Sequence, residues 1–173
     1  MEASKRRAQI VARLKENDGP CSASMLAKEF HVSRQIVVGD VALLRAQGHQ
    51  IIATPRGYVC EHQGSEGILA TIAVTHTNEQ LAKEIYTIVD MGGALLDVIV
   101  EHPLYGQLCG NLHIYSRYDA DQFFAKMESA KAAPLSQLTN GLHLHTIQCK
   151  DEDVLKRIQE ALRQEGILYD KDN

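Results

Sequence analysis

Two histidines in the segment LHLHTIQC, at 142–149, are placed where they can do chemistry together. Apolar and polar side chains alternate through this segment, and a period of two predicts a β-strand whose alternate side chains share one face. His143 and His145 then lie on the same face, with Cβ atoms about 7 Å apart at a rise of ~3.4 Å per residue. Two imidazoles at this separation can share one metal ion.

Two further side chains extend this constellation. His76 ends the strand-like run ILATIAVTH, in line with the inward residues of that strand. Glu84 follows eight residues later and flanks the apolar stripe of a predicted helix, where a carboxylate is unfavourable unless it is paired or bound to a metal. Three imidazoles and one carboxylate suit a divalent transition metal such as zinc, nickel or iron. The spacing alone leaves two interpretations open, a metal site and a set of ordinary hydrogen-bonded side chains.

The elements that must position these four residues alternate between strand and helix. Runs rich in β-branched or alternating side chains predict strands, and apolar stripes at helical spacing predict helices. The strands are predicted at 68–76, 94–102, 108–115 and 142–149, and the helices at 78–90, 119–132 and 151–164. The order β-α-β-β-α-β predicts a ferredoxin-like split βαβ sandwich with an extra C-terminal helix.

The N-terminal third of the chain has a different pattern. Three apolar stripes predict two short helices and a longer one that begins after Ser33. Two short β runs follow at 51–54 and 58–60, joined by a turn that contains a proline and a glycine. Three helices and a hairpin make a winged helix-turn-helix.

Charge divides the chain at about the same place. Residues 1–60 hold nine Lys and Arg against five Asp and Glu, and residues 61–173 hold nine against seventeen, so the halves carry net charges of +4 and −8. The polar stretch EHQGSEG lies between the two patterns. We therefore predict an α+β chain with a domain at 1–61 that suits a polyanion, a linker at 62–67 and an acidic domain at 68–173.

The basic half offers side chains suited to DNA. Ser33, Arg34 and Gln35, at the start of the third helix, can donate hydrogen bonds to phosphates and base edges. Arg56, at the hairpin turn, can reach a phosphate or the minor groove. A winged helix that binds protein, with solvated charges, is the alternative. Gly39, in the middle of the third helix, costs about 1 kcal/mol relative to Ala, and it either allows close approach to DNA or is a tolerated weakness.

Both halves also resemble known proteins. The string VSRQIVVGDVALLRAQGHQIIATPRGYVC, at 32–60, resembles the winged helix-turn-helix of bacterial transcription regulators, whose third helix enters the DNA major groove. Residues 67–170 resemble the three-histidine (3H) domain of niacin-responsive repressors of the NiaR type, through EHPLYG at 101–106 and LSQLTNGLHLHT at 135–146. The whole chain has that family's order of domains.

The resemblance implies roles for particular residues. Carried over by position, the family's metal ligands fall on His76, Glu84, His143 and His145. The family's metal is nickel or zinc. His102, in EHPLYG, matches a further characteristic histidine, which we place near the effector pocket. Tyr105, three residues later, is a second candidate donor to the effector.

The resemblance also implies a function. It predicts a dimeric transcription repressor, not an enzyme, that uses niacin as its co-repressor and controls genes for NAD synthesis or niacin uptake. The operator is then a palindrome. A dimer on such an operator holds its two recognition helices ~34 Å apart, the spacing of successive major grooves.

Two other classes of protein are compatible with the same residues. One is a metalloregulator, in which the ion is itself the signal. The other is a metal-dependent hydrolase with Glu101 or Asp97 as its base, although the sequence has no nucleophile elbow, P-loop or H-E-x-x-H helix. No apolar run is long enough to cross a bilayer, and charges interrupt the start MEASKRRAQIVARLKEND, so we expect a cytosolic protein with no membrane partner.

Overall fold

The structure, a computed structural model, describes residues 2–17, 19–60 and 67–170. The chain divides into two compact units, Met1–Ser65 and Glu66–Asn173. Apart from Gly67, the predicted linker at 62–67 lies outside the described residues. Of the helices within the described ranges, none is both long enough and apolar enough to cross a membrane.

Within its described residues, the first unit has three helices and a two-stranded antiparallel hairpin. Its elements are α1 Ala3–Glu16, α2 Ala23–Glu29, α3 Arg34–Ala46, β1 Ile51–Thr54 and β2 Gly57–Cys60. Ser22 caps α2 and Ser33 caps α3, because their side chains accept from the N–H of Met25 at 3.1 Å and of Ile36 at 3.3 Å. A serine there satisfies a helix N–H that has no partner within the helix. The predicted helix-turn-helix and its wing are both present.

The wing is joined to the helices at Cys21 and Tyr58. Their backbones exchange two hydrogen bonds of 2.9 Å. Gly57 permits this approach, because its φ is +143° and a Cβ there would lie 2.5 Å from the Cys21 carbonyl oxygen. The apolar core of this unit includes Ile10, Leu14, Leu26, Val37, Val41, Leu44 and Ile51. One face of α3 packs on this core, and residues on the other side of α3 are exposed.

The second unit alternates strands and helices in the predicted order. Its elements are β3 Ile68–Thr75, α4 Leu81–Asp90, β4 Ala94–His102, β5 Gly106–Ile114, α5 Arg117–Ser129, β6 Leu142–Cys149 and α6 Glu152–Gln164. Short 3-10 turns at Asn78–Gln80 and Leu135–Thr139 precede α4 and β6. The helix predicted at 78–90 therefore begins as a 3-10 turn, and Thr77 and Gln80 cap that turn reciprocally.

The four strands found in residues 67–170 form one antiparallel sheet in the order β3-β6-β4-β5. Because β6 lies between β3 and β4, and β4 between β5 and β6, both βαβ connections are split by an intervening strand. The α+β class and the order of elements are confirmed. In a ferredoxin-like sheet the first strand lies between the third and the fourth, whereas here the fourth lies between the first and the second. Alternation predicts which side chains are buried, but it does not predict which strands are neighbours.

The helices of this unit cover one face of the sheet. The core residues at this interface include Ile72, Val74, Leu95, Ile114 and Ile147 from the strands and Ile85, Ile88, Ile158 and Leu162 from the helices. Burying an aliphatic side chain of this size contributes about 1.5–3 kcal/mol. The predicted metal ligands lie at one end of this covered face, where β3 ends and β6 begins.

Candidate functional site

The structure brings His76, Glu84, His143 and His145 together in one buried cluster. Glu84 Oε2 lies 2.7 Å from His76 Nε2, and Glu84 Oε1 lies 3.1 Å from His145 Nε2 and 3.6 Å from His143 Nε2. The Nε2 atoms of the two β6 histidines are 3.1 Å apart. Each of the four side chains is at most 3% exposed. The predicted constellation is therefore a set of spatial neighbours.

Strand pairing explains why the histidines meet. In the register of β3 with β6, Val74 lies opposite His143 and Ile72 lies opposite His145. Directly opposed residues share a face of the sheet, and both partners are buried, so the two histidines point inward as their spacing predicts. The helix α4 packs over the same face and carries Glu84 onto it.

The second nitrogen of each imidazole is held by a backbone carbonyl. The Nδ1 to O distances are 2.7 Å from His76 to Thr77, 2.7 Å from His143 to Gly141 and 2.6 Å from His145 to Asp97. A carbonyl oxygen only accepts, so each Nδ1 carries a proton and donates it. Metal-binding histidines in proteins are oriented in this way, with the remaining nitrogen directed at the ion.

The charge of Glu84 depends on the histidines that surround it. Burial by itself raises the pKa of Glu84, but the charge of His145 and the polar contacts of all three imidazoles outweigh burial and hold this pKa well below its ordinary value. For the two histidines the signs are reversed. Burial lowers the pKa of His76 and of His145, but the contact with Glu84 outweighs burial, so both pKa values are raised. The cluster thus favours an ionised carboxylate.

Two features of the cluster fit a bound cation. Glu84 Oε1 is buried, yet no group in the described part of the chain is aligned to donate a hydrogen bond to it. The Nε2 atoms of His143 and His145 need a proton or a cation between them, because two lone pairs 3.1 Å apart repel each other. One ligand atom each from His76, Glu84 and His143 lie within 4.8 Å of one another. Imidazole nitrogens with one carboxylate and no thiolate suit zinc or nickel.

The predicted effector residues lie at the β4–β5 hairpin. The rings of His102 and Tyr105 have centroids 5.0 Å apart. His102 Nδ1 accepts from the backbone N–H of Leu104 at 3.2 Å and of Tyr105 at 3.3 Å, so the proton of the neutral ring is on Nε2. A cavity of about 450 Å³ is lined by Glu101, His102, Pro103, Gly106 and Gln107. Tyr105 is exposed beside it, and none of the four candidate ligands lines it.

The predicted DNA-binding residues lie on α3 and on the wing. Ser33 caps α3, and Arg34 and Gln35 follow in its exposed first turn. Gly39 is exposed further along the same helix, and no described atom lies within 4 Å of the point where a Cβ would be. Arg56 is half-buried at the hairpin turn, where its backbone N–H is hydrogen-bonded within the turn. The start of α3 is therefore open to a ligand.

A buried ion pair between α1 and α3 was not predicted. Arg6 Nε donates to Asp40 Oδ2 at 2.6 Å, and Arg7 Nη1 donates to Asp40 Oδ1 at 3.5 Å. The Asp40 side chain is only 5% exposed. This contact fixes α3 from its buried side, whereas Arg34 of the same helix is exposed. Its partners are far apart in sequence, so no local pattern identifies it.

The backbone acceptors around the imidazoles were also missed. The sequence predicts no role for Thr77 or Gly141, and it offers Asp97 only as a candidate hydrolytic base. A carbonyl oxygen is present at every residue, so its use has no signature in the sequence. The glycine in TNGLHLH is the one local signal that points to this part of the site.

Comparison with known protein families defines the class of this chain. Residues 6–59 match an HTH domain, and residues 69–171 match the 3H domain. The predicted order of a helix-turn-helix followed by a 3H domain is confirmed.

Two relatives identify the family more closely. The chain is 42% identical over 162 residues to the protein of Thermotoga maritima named Probable transcription repressor NiaR. It is 41% identical over 169 residues to Transcription repressor NadR of Bacillus subtilis. Each alignment covers 94% of this chain and 92% of the relative. This chain belongs to the family of 3H-domain transcription repressors that includes both proteins.

Proposed function

We propose that this chain is a cytosolic, dimeric transcription repressor that uses niacin as its co-repressor and acts on genes for NAD synthesis or niacin uptake. Its second unit holds nickel or zinc through His76, Glu84, His143 and His145. The observation that carries the proposal is the convergence of three imidazole Nε2 atoms on one buried carboxylate, in a chain of a repressor family. Niacin as the effector rests on the resemblance to niacin-responsive repressors.

The proposed ligands form a preorganised set of donors for one divalent ion. Nickel or zinc, when bound, supplies a positive centre that attracts a carboxylate or a pyridine nitrogen. Glu84 contributes a negative charge that three imidazoles already stabilise. The three Nδ1 bonds to backbone carbonyls keep the rings from turning away, which lowers the entropy lost on binding.

The cavity beside His102 is the proposed place for the pyridine acid. Its volume of about 450 Å³ is within the range of small-molecule sites. The fixed Nε2–H of His102 can donate to the effector's carboxylate, and the hydroxyl of Tyr105 is a second donor at the rim.

DNA binding is assigned to α3 and the wing. We propose that Ser33, Arg34 and Gln35 contact the major groove and its phosphates. Arg56 contacts the DNA backbone beside the major groove. Two copies of α3 then lie ~34 Å apart on a palindromic operator. Niacin favours this arrangement of the dimer over another, and such coupling is typically ~1–3 kcal/mol, or roughly five- to 150-fold in operator affinity.

The test is to compare the wild-type protein with His143→Ala and His145→Ala. We expect both variants to lose bound metal and niacin-dependent operator binding. His49→Ala, at an exposed position in the first unit, is the matched control for metal content. Metal is measured by mass spectrometry of the purified protein and operator binding by fluorescence anisotropy. Unchanged metal content in both β6 variants overturns the ligand assignment.

Burial of the site favours one second candidate, a metalloregulator. Because the four ligand side chains are at most 3% exposed, an effector in solution has little access to the ion itself. In a metalloregulator the ion itself is the signal, and no effector needs to reach it. Titrating nickel or zinc against operator binding without niacin separates the two functions, since only a metal sensor responds at physiological free-ion concentrations.

The hydrolase alternative finds less support. The Asp97 carboxylate, one of its two candidate bases, accepts the backbone N–H of Thr146 at 2.8 Å within the sheet. Glu101, the other, is exposed near the C-terminal end of β4 and is not part of the buried cluster. A turnover assay with nicotinamide and ester substrates on the zinc-loaded protein tests this function, and we expect no product above the protein-free rate.

A further inference from the structure

Asp97 contacts two successive residues of β6 from the middle of β4. Its backbone carbonyl accepts the Nδ1–H of His145 at 2.6 Å. Its side-chain Oδ1 accepts the backbone N–H of Thr146 at 2.8 Å. One residue therefore provides acceptors both for the ring of a proposed metal ligand and for the backbone immediately after that ligand.

The strand pairing is irregular at this point. Leu95 lies opposite Ile147, and Ile99 lies opposite Leu144, so three residues of β4 face two residues of β6. An additional residue in one strand is a β-bulge, which interrupts the ladder and redirects the groups beside it. At this bulge the Asp97 carboxylate takes the place of a main-chain acceptor for Thr146.

We infer that Asp97 is a positioning residue of the proposed metal centre. Its carboxylate fixes the bulge against β6, and the bulge places the Asp97 carbonyl on the ring of His145. That carbonyl directs His145 Nε2 toward Glu84 Oε1, 3.1 Å away. The His145 side chain is 3% exposed, so solvent has little access to replace the carbonyl as the acceptor of the Nδ1–H. The inference rests on the metal centre proposed above.

Substitution of Asp97 tests whether the hydrogen bond matters for metal affinity. Asp97→Ala removes the acceptor for Thr146, and we expect about 10- to 100-fold weaker zinc binding, the usual cost of losing a group that orients a ligand. Asp97→Asn keeps an oxygen at the same place and should retain most of the affinity. Asp153→Ala, an exposed aspartate in the first turn of α6, is the control and should bind like the wild type. Zinc affinity is measured by competition with a chromophoric chelator.

Two results of this titration would overturn the inference. One is wild-type affinity in Asp97→Ala. The other is an equal loss in Asp97→Asn and Asp97→Ala, because the amide retains the hydrogen bond and loses only the charge.

The imidazole nitrogens of His145 give a readout that a general loss of stability does not mimic. In nitrogen-15 spectra of the wild-type protein, we expect the proton on Nδ1, both with zinc and without metal at alkaline pH. In metal-free Asp97→Ala we expect a mixture of the two tautomers. An Nε2–H tautomer in the metal-free wild type overturns the inference, even if Asp97→Ala does not fold. If the wild type binds no zinc, the proposed metal centre is wrong. The tautomer of His145 still shows whether Asp97 orients the ring.

Discussion

Gly141 lies so close to His76 that a Cβ at position 141 would be 2.5 Å from the His76 carbonyl oxygen. The φ of Gly141 is +95°, and its own carbonyl accepts the Nδ1–H of His143. One glycine thus joins the segment after β3 to the segment before β6. The positions of His76 and His143, two of the three clustered imidazoles, therefore depend on the close approach of Gly141 to the His76 backbone.

Gly141→Ala is expected to lower both stability and metal affinity. A side chain at this φ costs about 1–3 kcal/mol, and the added methyl group also displaces the His76 backbone. Thermal unfolding and a zinc titration measure the two effects. Gly166→Ala is the control, because Gly166 has a φ of +68° and no described atom within 4 Å of its Cβ position. Equal changes in the two variants would show that strain, and not the approach to His76, is responsible.

The metal-free protein is expected to be most stable at mildly acidic pH. The raised pKa values of His76 and His145 contribute stability that is fully present below the ordinary histidine value of 6.5 and is lost as pH rises through the folded values. The lowered pKa of Glu84 contributes stability that is present above 4.5 and is lost as pH falls through the folded value. Both contributions are therefore complete between pH 4.5 and 6.5.

Melting temperatures with and without zinc, measured from about pH 4 to about pH 8, test the prediction. Zinc displaces protons from the Nε2 atoms, so its added stabilisation should grow as pH rises. In the His143→Ala variant, the stabilisation by zinc should no longer increase with pH. A metal-free melting temperature that climbs steadily from pH 6 to pH 8 would contradict the assignment of raised histidine pKa values.

Arg34→Ala is expected to weaken operator binding at every salt concentration and to reduce its dependence on salt. Arg34 is exposed in the first turn of α3, where a guanidinium can pair with a phosphate or a guanine. Loss of one phosphate contact lowers the slope of log affinity against log salt by about 1. Arg45→Ala, in the last turn of the same helix, is the control, with a smaller expected effect. Anisotropy titrations at several salt concentrations measure both, and identical curves for Arg34→Ala and wild type would remove this residue from the interface.

Gly39→Ala is expected to separate stability from DNA binding. The position is exposed, and the space around its Cβ is open within the described residues, so alanine should raise the free energy of unfolding by about 1 kcal/mol. If α3 lies against DNA at this point, the methyl group should also weaken operator binding. Chemical denaturation and anisotropy measure the two quantities. A stabilised variant with unchanged operator affinity would make Gly39 a tolerated weakness.

The sequence alone determined the features that arise from local backbone geometry. The period of two placed His143 and His145 on one face, because successive side chains of a strand point to opposite sides of a sheet. Ser33 marked the start of α3, because a serine side chain satisfies a helix N–H. The carboxylate of Glu84 on an apolar stripe indicated a buried charge that needs partners, and three imidazoles surround it.

Only the tertiary structure decided what depends on distant parts of the chain. The place of β6 between β3 and β4 follows from packing over the whole sheet, and the same alternation is compatible with other strand orders. The Asp97 carbonyl holds His145 across 48 positions of sequence. Arg6 forms its ion pair with Asp40 across 34 positions of sequence. Side-chain direction is a property of a few successive residues, whereas the partner of a buried polar group is set by which backbones the fold brings together.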